Sequence, residues 1–319
     1  MSATPSTIVI GLSGRESDKK LLKIAVDLCE KLSKKLHLVH CYEPNEATYA
    51  SLLGDKDLTK VFEGSDAAYE KSKKDYLKGI ADNLQITASY SVVAGAKAPS
   101  LVSEAQISDG FLILVGARSK EQQDKNNHSS LAVSLFNCSN IPVMVINEKI
   151  SDKWQIDSFL RVVCADDLDE ERNKAAPFAA QLVHLYDNNQ KNQSELNLIH
   201  VNPLSKSLLE SSIDLALTKA HVQPTASINP EKIYQNFLSS MKENLDKRIP
   251  KDLQEKISFQ SQVIDGHCER ELASIIQNQF ASIAVFGKHR AVHRKPFYFG
   301  KLPFATAFEL DTPFIIVPG

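Results

Sequence analysis

The feature that most constrains this chain is a repeat, in which three pairs of glycine or proline residues recur at one fixed spacing. The two members of each pair are 171 positions apart, and each lies at the edge of an apolar, strand-like run. The pairs are Gly95 and Gly266, Gly116 and Gly287, and Pro142 and Pro313. Glycine and proline mark turns and element boundaries, so one spacing shared by three pairs predicts two copies of a single fold.

The two copies differ in the length of their earlier connections. His40 and His200, which end apolar runs, are 160 residues apart. Ser13 and Asp166, which follow the first apolar run of each copy, are 153 residues apart. The second copy therefore has longer connections after its first and second strands.

The length of the chain fits this doubling. Its 319 residues are enough for two domains, and a hydrophobic fraction of 43% is enough to bury two cores. We predict a first domain at 1–147, a second at 158–319, and a polar linker at 148–157 that carries Trp154.

Short apolar runs alternate with helical stretches in both halves, five runs to each half. Runs of nearly continuous apolar character, such as 111–115, are typical of parallel strands covered on both faces. We therefore predict two α/β domains, each with a five-stranded parallel sheet. A long polar stretch at 48–82 carries three glycines and is expected to form a broken or frayed helix. Ligands of such sheets bind beyond the carboxyl ends of strands, here strands one, two and four.

Composition excludes several classes of protein. The 37 Lys and Arg residues are balanced by 39 Asp and Glu residues, so we expect neither nucleic acid nor a membrane surface as a partner. The five cysteines form no Cys-x-x-Cys pair, which disfavours a disulfide framework and a zinc ribbon. No apolar run approaches the roughly 20 residues of a membrane-spanning helix. The first residues show no secretory signal pattern, so we expect a cytoplasmic protein.

A glycine follows the fourth strand of each half. Gly116 and Gly287 each open a polar loop that leads toward a helix, an arrangement whose backbone N–H groups suit a phosphate. The loop of the second half is also basic, with five Lys or Arg and two His residues within 288–301. Such cations would supply charge-assisted hydrogen bonds to an anion.

Together these motifs resemble those of the tandem universal stress proteins, over nearly the whole chain. In that family the first strand ends in an acid, the second in a His-Val-x-x-Pro-like sequence, and a Gly-x2-Gly-x9-Gly-Ser/Thr loop follows the fourth. Here the second strands end in His40-Cys-Tyr-Glu-Pro44 and His200-Val-Asn-Pro203, and the loop spacing is kept from Gly116 and from Gly287. The resemblance implies two Rossmann-like domains of the adenine nucleotide alpha hydrolase-like kind, forming a pseudo-dimer in which 142–146 pairs with 313–317.

The resemblance also implies where ATP or another adenine nucleotide would bind. The strand-one acid and the end of strand two would hold adenosine, and the glycine loop with its serine would hold the phosphates. The matching positions are Ser13, Cys41, Gly116, Ser119, Ser129 and Ser130 in the first copy, and Asp166, Val201, Gly287, Arg290, Gly300 and Lys301 in the second. In the first copy, Ser13 replaces the acid, and Ser119 and Ser129 replace two glycines. In the second copy, Arg290 replaces a glycine and Lys301 replaces the serine.

Several of these residues also have structural interpretations. Gly116 and Gly287 would suit sharp turns, and the basic run would suit a solvated loop. His40 and His200 would suit packed, hydrogen-bonded positions, and Asp166 would suit a helix N-cap.

The function implied is a cytoplasmic stress-response regulator or scaffold with an adenine nucleotide, another protein or a second copy of the chain as partner. One alternative is a nucleotide-free scaffold or ligand carrier, in which both loops are only connections. A further alternative is an ATP pyrophosphatase of the PP-loop type, because Ser13-Gly-Arg-Glu-Ser17 is similar to the phosphate loop of those enzymes. No residue set indicates a catalytic nucleophile, a general acid or base, or a metal site.

Overall fold

The structure is a computed structural model that divides into two compact units. The first unit is Met1–Ile156 with Pro313–Pro318, and the second is Asp157–Thr312 with Gly319. The residues described are 5–15, 18–44, 56–117, 131–151, 154–156, 159–168, 174–190, 194–203, 207–209, 211–212, 215, 229–288 and 310–319. Among them, no helix is both long and apolar enough to cross a membrane.

The first half of the chain alternates strands and helices. Its described elements are β1 Thr7–Gly11, α1 Asp18–Leu32, β2 Lys35–Tyr42, α2 Lys56–Asn83, β3 Ala88–Ala94, α3 Lys97–Ile107, β4 Gly110–Ala117, α4 Leu131–Cys138 and β5 Val143–Asn147.

The second half repeats this alternation. Its described elements are β6 Arg161–Ala165, α5 Ala175–Gln190, β7 Glu195–Asn202, α6 Pro230–Asp246, α7 Lys251–Gln254, β8 Ser258–Asp265, α8 Cys268–Asn278, β9 Ile283–Lys288 and β10 Phe314–Pro318.

Each unit is built around a mostly parallel sheet, as the apolar runs predicted. In the first unit the strand order is β3-β2-β1-β4-β5-β10, in which β1 to β5 are parallel and β10 is antiparallel to β5. Phe314 lies opposite Val145 and Ile316 opposite Val143, which confirms the expected pairing of 142–146 with 313–317. In the second unit the order is β9-β6-β7-β8, all parallel. The α/β fold class is confirmed.

Burial explains why these segments form strands and helices. In β1 the side chains of Ile8, Val9 and Ile10 are all buried, so both faces of the strand are covered by protein. In α1 the buried residues recur at helical spacing on one face, from Leu21 to Leu32. Burying each such side chain contributes roughly 1.5–3 kcal/mol.

The spacing of 171 residues recurs in the backbone. α3 and α8 begin and end at positions that differ by this number. Gly95 and Gly266 adopt φ angles of 143° and 148°, a region that only glycine enters readily. The N–H of Gly95 donates to Tyr42 O and that of Gly266 to Asn202 O, at 2.8 and 3.0 Å. The two glycines therefore make the same turn after the third strand of each half.

The long helix of the first unit differs from the sequence-based expectation. α2 runs unbroken through Gly64 and Gly79, and no neighbouring atom of the described residues lies within 4 Å of a Cβ built at either glycine. Glycine costs a helix interior about 1 kcal/mol. Packing of the buried side of α2, where Leu77 is fully covered, outweighs that cost. The expected break is wrong for 56–83, and 48–55 lies outside the described residues.

The segment that follows β5 is fastened to α1. Lys20 Nζ donates to the carbonyl of Ile150, and Lys31 Nζ donates to the carbonyl of Ile156. The N–H of Ile156 donates to the Asp27 carboxylate at 3.2 Å. Both isoleucine side chains are buried. The described residues of this segment therefore belong to the packed surface of the first unit.

Candidate functional site

A histidine links the carboxyl ends of the first two strands in each unit. His40 Nδ1 donates to Leu12 O at 3.0 Å, and His200 Nδ1 donates to Asp166 O at 2.8 Å. Because the two bonds are equivalent, Asp166 corresponds to Leu12. Our pairing of Asp166 with Ser13 is therefore wrong by one residue. Leu12 is only 4% exposed, so the first unit has a buried apolar side chain where the second unit has an acid.

In the first unit, donors of the loop after β1 are hydrogen-bonded to a carboxylate at the start of the next helix. Asp18, at the start of α1, accepts hydrogen bonds from Ser13 Oγ at 2.8 Å, Gly14 N at 2.6 Å and Arg15 N at 3.2 Å. The hydroxyl of Ser13 is therefore engaged within the loop. A PP-loop would need these N–H groups for pyrophosphate, and here Asp18 binds them.

α2 covers the ends of β1 and β2 in the first unit. Tyr69 OH donates to His40 Nε2 at 3.0 Å, and its ring lies 5.1 Å from that of Tyr42. Lys73 lies over the Tyr69 ring at 5.4 Å, and its Nζ is 2.7 Å from where a Cβ on Gly14 would lie. Burial lowers the pKa of His40, and the nearby Lys73 also lowers it. The neutral His40 ring can therefore accept the hydrogen bond from Tyr69. Tyr69 and Lys73 of α2 thus lie against the ends of β1 and β2.

Two of the remaining candidates of the first unit, Gly116 and Cys41, lie among the described residues. Gly116 is exposed, it does not adopt a left-handed φ, and the nearest atom to a Cβ built on it is Ile146 O at 3.9 Å. Its backbone therefore does not require glycine for a sharp turn, and no described residue crowds a Cβ at this position. Cys41 is half-buried, and burial raises the pKa of its thiol to about 11. Ser119, Ser129 and Ser130 lie outside the described residues.

In the second unit Asp166 is a buried acid, and one of its two oxygens has a hydrogen-bond partner among the described residues. Its Oδ1 accepts from Leu168 N at 2.8 Å and lies 3.5 Å from Arg248 Nε. Its Oδ2 is buried and has no hydrogen-bond partner among the described residues. Burial raises the pKa of Asp166, and the Leu168 hydrogen bond and the Arg248 charge oppose that rise. The carboxylate can therefore accept a further hydrogen bond through Oδ2.

Two further candidates of the second unit, Val201 and Gly287, lie near the same end of the sheet. Val201 is a buried residue near the carboxyl end of β7, opposite Ile264 of β8. Gly287 is the penultimate residue of β9. Arg290, Gly300 and Lys301 lie outside the described residues. The described part of the chain contains no group of three or more His, Cys, Asp or Glu side chains that could hold a metal ion.

Sequence reasoning missed four residues that shape these sites. No sequence motif marks Asp18 or Arg248, because the contacts through which they act cannot be read from their positions in the sequence. Tyr69 and Lys73 are four residues apart on α2, with Tyr76 three further on. That helical spacing was the signal that could have placed an aromatic and basic face on this helix.

The first half of the chain matches a known family. The model of the universal stress protein family matches residues 5–147. None of the curated proteins compared with the chain matches it.

Solved structures resemble the chain over almost its whole length. A universal stress protein from Archaeoglobus fulgidus DSM 4304 superposes with a TM-score of 0.62 at 15% identity, covering 99% of both chains. A functionally unknown protein from Pseudomonas aeruginosa PAO1 superposes with a TM-score of 0.56 at 13% identity, covering 99% of this chain and 93% of the other. At these identities the likeness establishes a shared fold.

Proposed function

We propose that the chain is a tandem universal stress protein of the cytoplasm, with domains at 1–147 and 158–319, whose second domain binds the adenosine part of an adenine nucleotide. The first domain serves as a scaffold for a protein partner or a second copy of the chain. The family match of 5–147 and the shared fold over the whole length support the tandem assignment. So do the glycine turns that recur at a spacing of 171 residues.

The observation that carries the nucleotide proposal is Oδ2 of Asp166, which is buried and has no hydrogen-bond partner in the described part of the chain. A buried acceptor without a partner costs roughly 1–3 kcal/mol, and a donor on a ligand would recover that cost. Adenosine offers amino and hydroxyl donors of the required kind. Val201, near the end of the adjacent strand, would line the same site. Beyond β9 the loop from Gly287, with Arg290, Gly300 and Lys301, would take the phosphates.

The first domain lacks this acceptor. Leu12 replaces the acid, and Tyr69 with Lys73 covers the adjoining strand ends. These residues favour the second candidate function, a nucleotide-free scaffold, for this domain. Gly116, Ser119, Ser129 and Ser130 would contact phosphates only if this domain also bound a nucleotide, and no described residue crowds a Cβ at Gly116.

Calorimetric titration of the full chain with adenosine, AMP and ATP tests the proposal. We expect saturable binding of all three to the wild type. Asp166→Asn keeps the shape of the side chain and removes its charge, and losing a charge-assisted hydrogen bond weakens binding by about 10- to 100-fold. Glu255→Gln removes the same charge at an exposed position of the second unit that precedes β8, and it is the matched control, expected to change affinity less than about threefold. Absence of binding to the wild type, or equal affinities in the two variants, would contradict the proposal.

Comparing ligands separates the two parts of the site. Gly287→Val adds a branched side chain at the start of the phosphate loop, so it should weaken ATP binding and leave adenosine binding nearly unchanged. Gly116→Val should leave both unchanged if the first domain is a scaffold. A loss of ATP binding in Gly116→Val alone would move the nucleotide site to the first domain.

A further inference from the structure

The two units differ in the connection that precedes the third strand. In the first unit α2 and β3 are joined by 84–87, whereas in the second unit α6 and β8 are joined by the longer segment 247–257. Arg248 lies in that longer segment. Its guanidinium reaches Asp166, with Nε 3.5 Å from Oδ1, and its side chain is only 16% exposed. The unit with a buried acid directly after its first strand is therefore also the unit whose longer connection brings a cation to that acid.

We propose that Arg248 is a positioning residue for Asp166, engaging Oδ1 so that Oδ2 remains the ionised acceptor offered to a ligand donor. The ligand part of this inference rests on the proposed function, whereas the effect of Arg248 on the carboxylate does not. Leu168 N and Arg248 both act on Oδ1 and together fix the plane of the carboxylate. The geometry leaves one acceptor for one donor, which selects an amino or hydroxyl group over an anionic oxygen.

The charges around Asp166 explain why a cation is needed there. Among the described residues, the charged and titratable groups that act on it are Arg248, Asp167, His200 and the thiol of Cys164. Burial and the charge of Asp167 favour the protonated acid, whereas Arg248 favours the carboxylate. His200 directs its Nδ1 proton to the backbone oxygen of Asp166. When Arg248 is replaced by a neutral residue, a larger fraction of Asp166 is protonated at a given pH.

Protonation matters because it changes what the side chain offers. An ionised carboxylate only accepts hydrogen bonds, whereas a protonated one carries a donor. If Oδ2 holds the proton, it is a much weaker acceptor for the donor of the ligand. Affinity for adenosine should then decrease as the pH is lowered. In a variant without the arginine, this decrease should begin at a higher pH than in the wild type.

Arg248→Gln in the full chain tests the inference, with Lys247→Gln as the matched control, because Lys247 is an exposed neighbour with the same charge. The first readout needs no ligand: the pKa of the Asp166 carboxyl is followed by ¹³C NMR. We expect that pKa to rise by about one unit in Arg248→Gln and to change little in Lys247→Gln. Arg248→Lys keeps a cation and should recover part of the difference.

The second readout is adenosine affinity between about pH 5 and pH 8. Arg248→Gln should lose about tenfold at the acidic end and less at the basic end. In the Asp166→Asn background the same substitution should have no further effect. An unchanged Asp166 titration in Arg248→Gln would overturn the positioning role even if adenosine binds. A shifted titration without adenosine binding would support the role of Arg248 and refute the proposed function.

Discussion

Alanine substitution at three glycines distinguishes a backbone that needs glycine from a surface that only leaves room for it. Gly95 and Gly266 have φ angles of 143° and 148°, where L side chains are strained. A Cβ would lie 2.9 Å from Ser100 Oγ at Gly95, and 2.7 Å from Glu271 Cγ at Gly266. Gly116 has no left-handed φ, and no described atom lies closer than 3.9 Å to its built Cβ, so it is the matched control.

The magnitude follows from two opposing terms. A strained φ costs about 1–3 kcal/mol. Alanine also restricts the unfolded chain, which stabilises the folded state by about 0.4–1 kcal/mol. Both contacted side chains can rotate away, so the contacts add little. We expect Gly95→Ala and Gly266→Ala each to lower the free energy of unfolding by about 1–2 kcal/mol. Gly116→Ala should change it by less than about 0.5 kcal/mol.

Urea unfolding followed by far-ultraviolet circular dichroism measures these differences, with both transitions fitted if the two units unfold separately. At about 2–4 °C per kcal/mol, melting temperatures provide a second measure. The reasoning is refuted if Gly116→Ala loses as much stability as Gly95→Ala. It is equally refuted if the two strained glycines tolerate alanine without loss.

Three further outcomes follow from burial and hydrogen bonding. Cys138 is exposed, whereas burial raises the pKa of Cys29 to about 12, so iodoacetamide with mass spectrometry should modify Cys138 at least about 100-fold faster. Burial raises the pKa of Asp166, so stability should fall as pH rises from about 3.9 through the folded pKa, and urea titrations of Asp166→Asn should not show that fall. Asp27→Ala removes the acceptor of the Ile156 N–H, and hydrogen exchange at that amide should accelerate about tenfold.

The fold could be predicted from the sequence because its signals are local. Continuous apolar runs indicated buried parallel strands, and the described sheets have them. Gly95 and Gly266 marked a turn that requires a positive φ, so their spacing carried real information about the backbone. The pairing of β5 with β10 came from the family resemblance, since nothing local in either strand identifies its partner.

The site was harder to predict, because its geometry depends on register and on distant contacts. Matching one polar residue to another paired Ser13 with Asp166, whereas the histidine hydrogen bonds pair Leu12 with Asp166. A search of the sequence for acidic residues does not detect Leu12, because it is an apolar residue at the position of an acid. Arg248 reaches Asp166 from a connection 82 positions further along the chain, and no motif marks that contact.

The half of the chain that matches the family model is not the half that carries Asp166. The family match covers 5–147, where Leu12 occupies the position that Asp166 has in the second unit. Such a match depends mainly on the many residues that form strands and core, whereas a ligand site depends on a few. A buried leucine stabilises the fold, but a buried carboxylate with an unpaired oxygen costs roughly 1–3 kcal/mol. Natural chains keep such costs mainly where function requires them. The half that carries Asp166 and its arginine is therefore the half in which we expect a ligand.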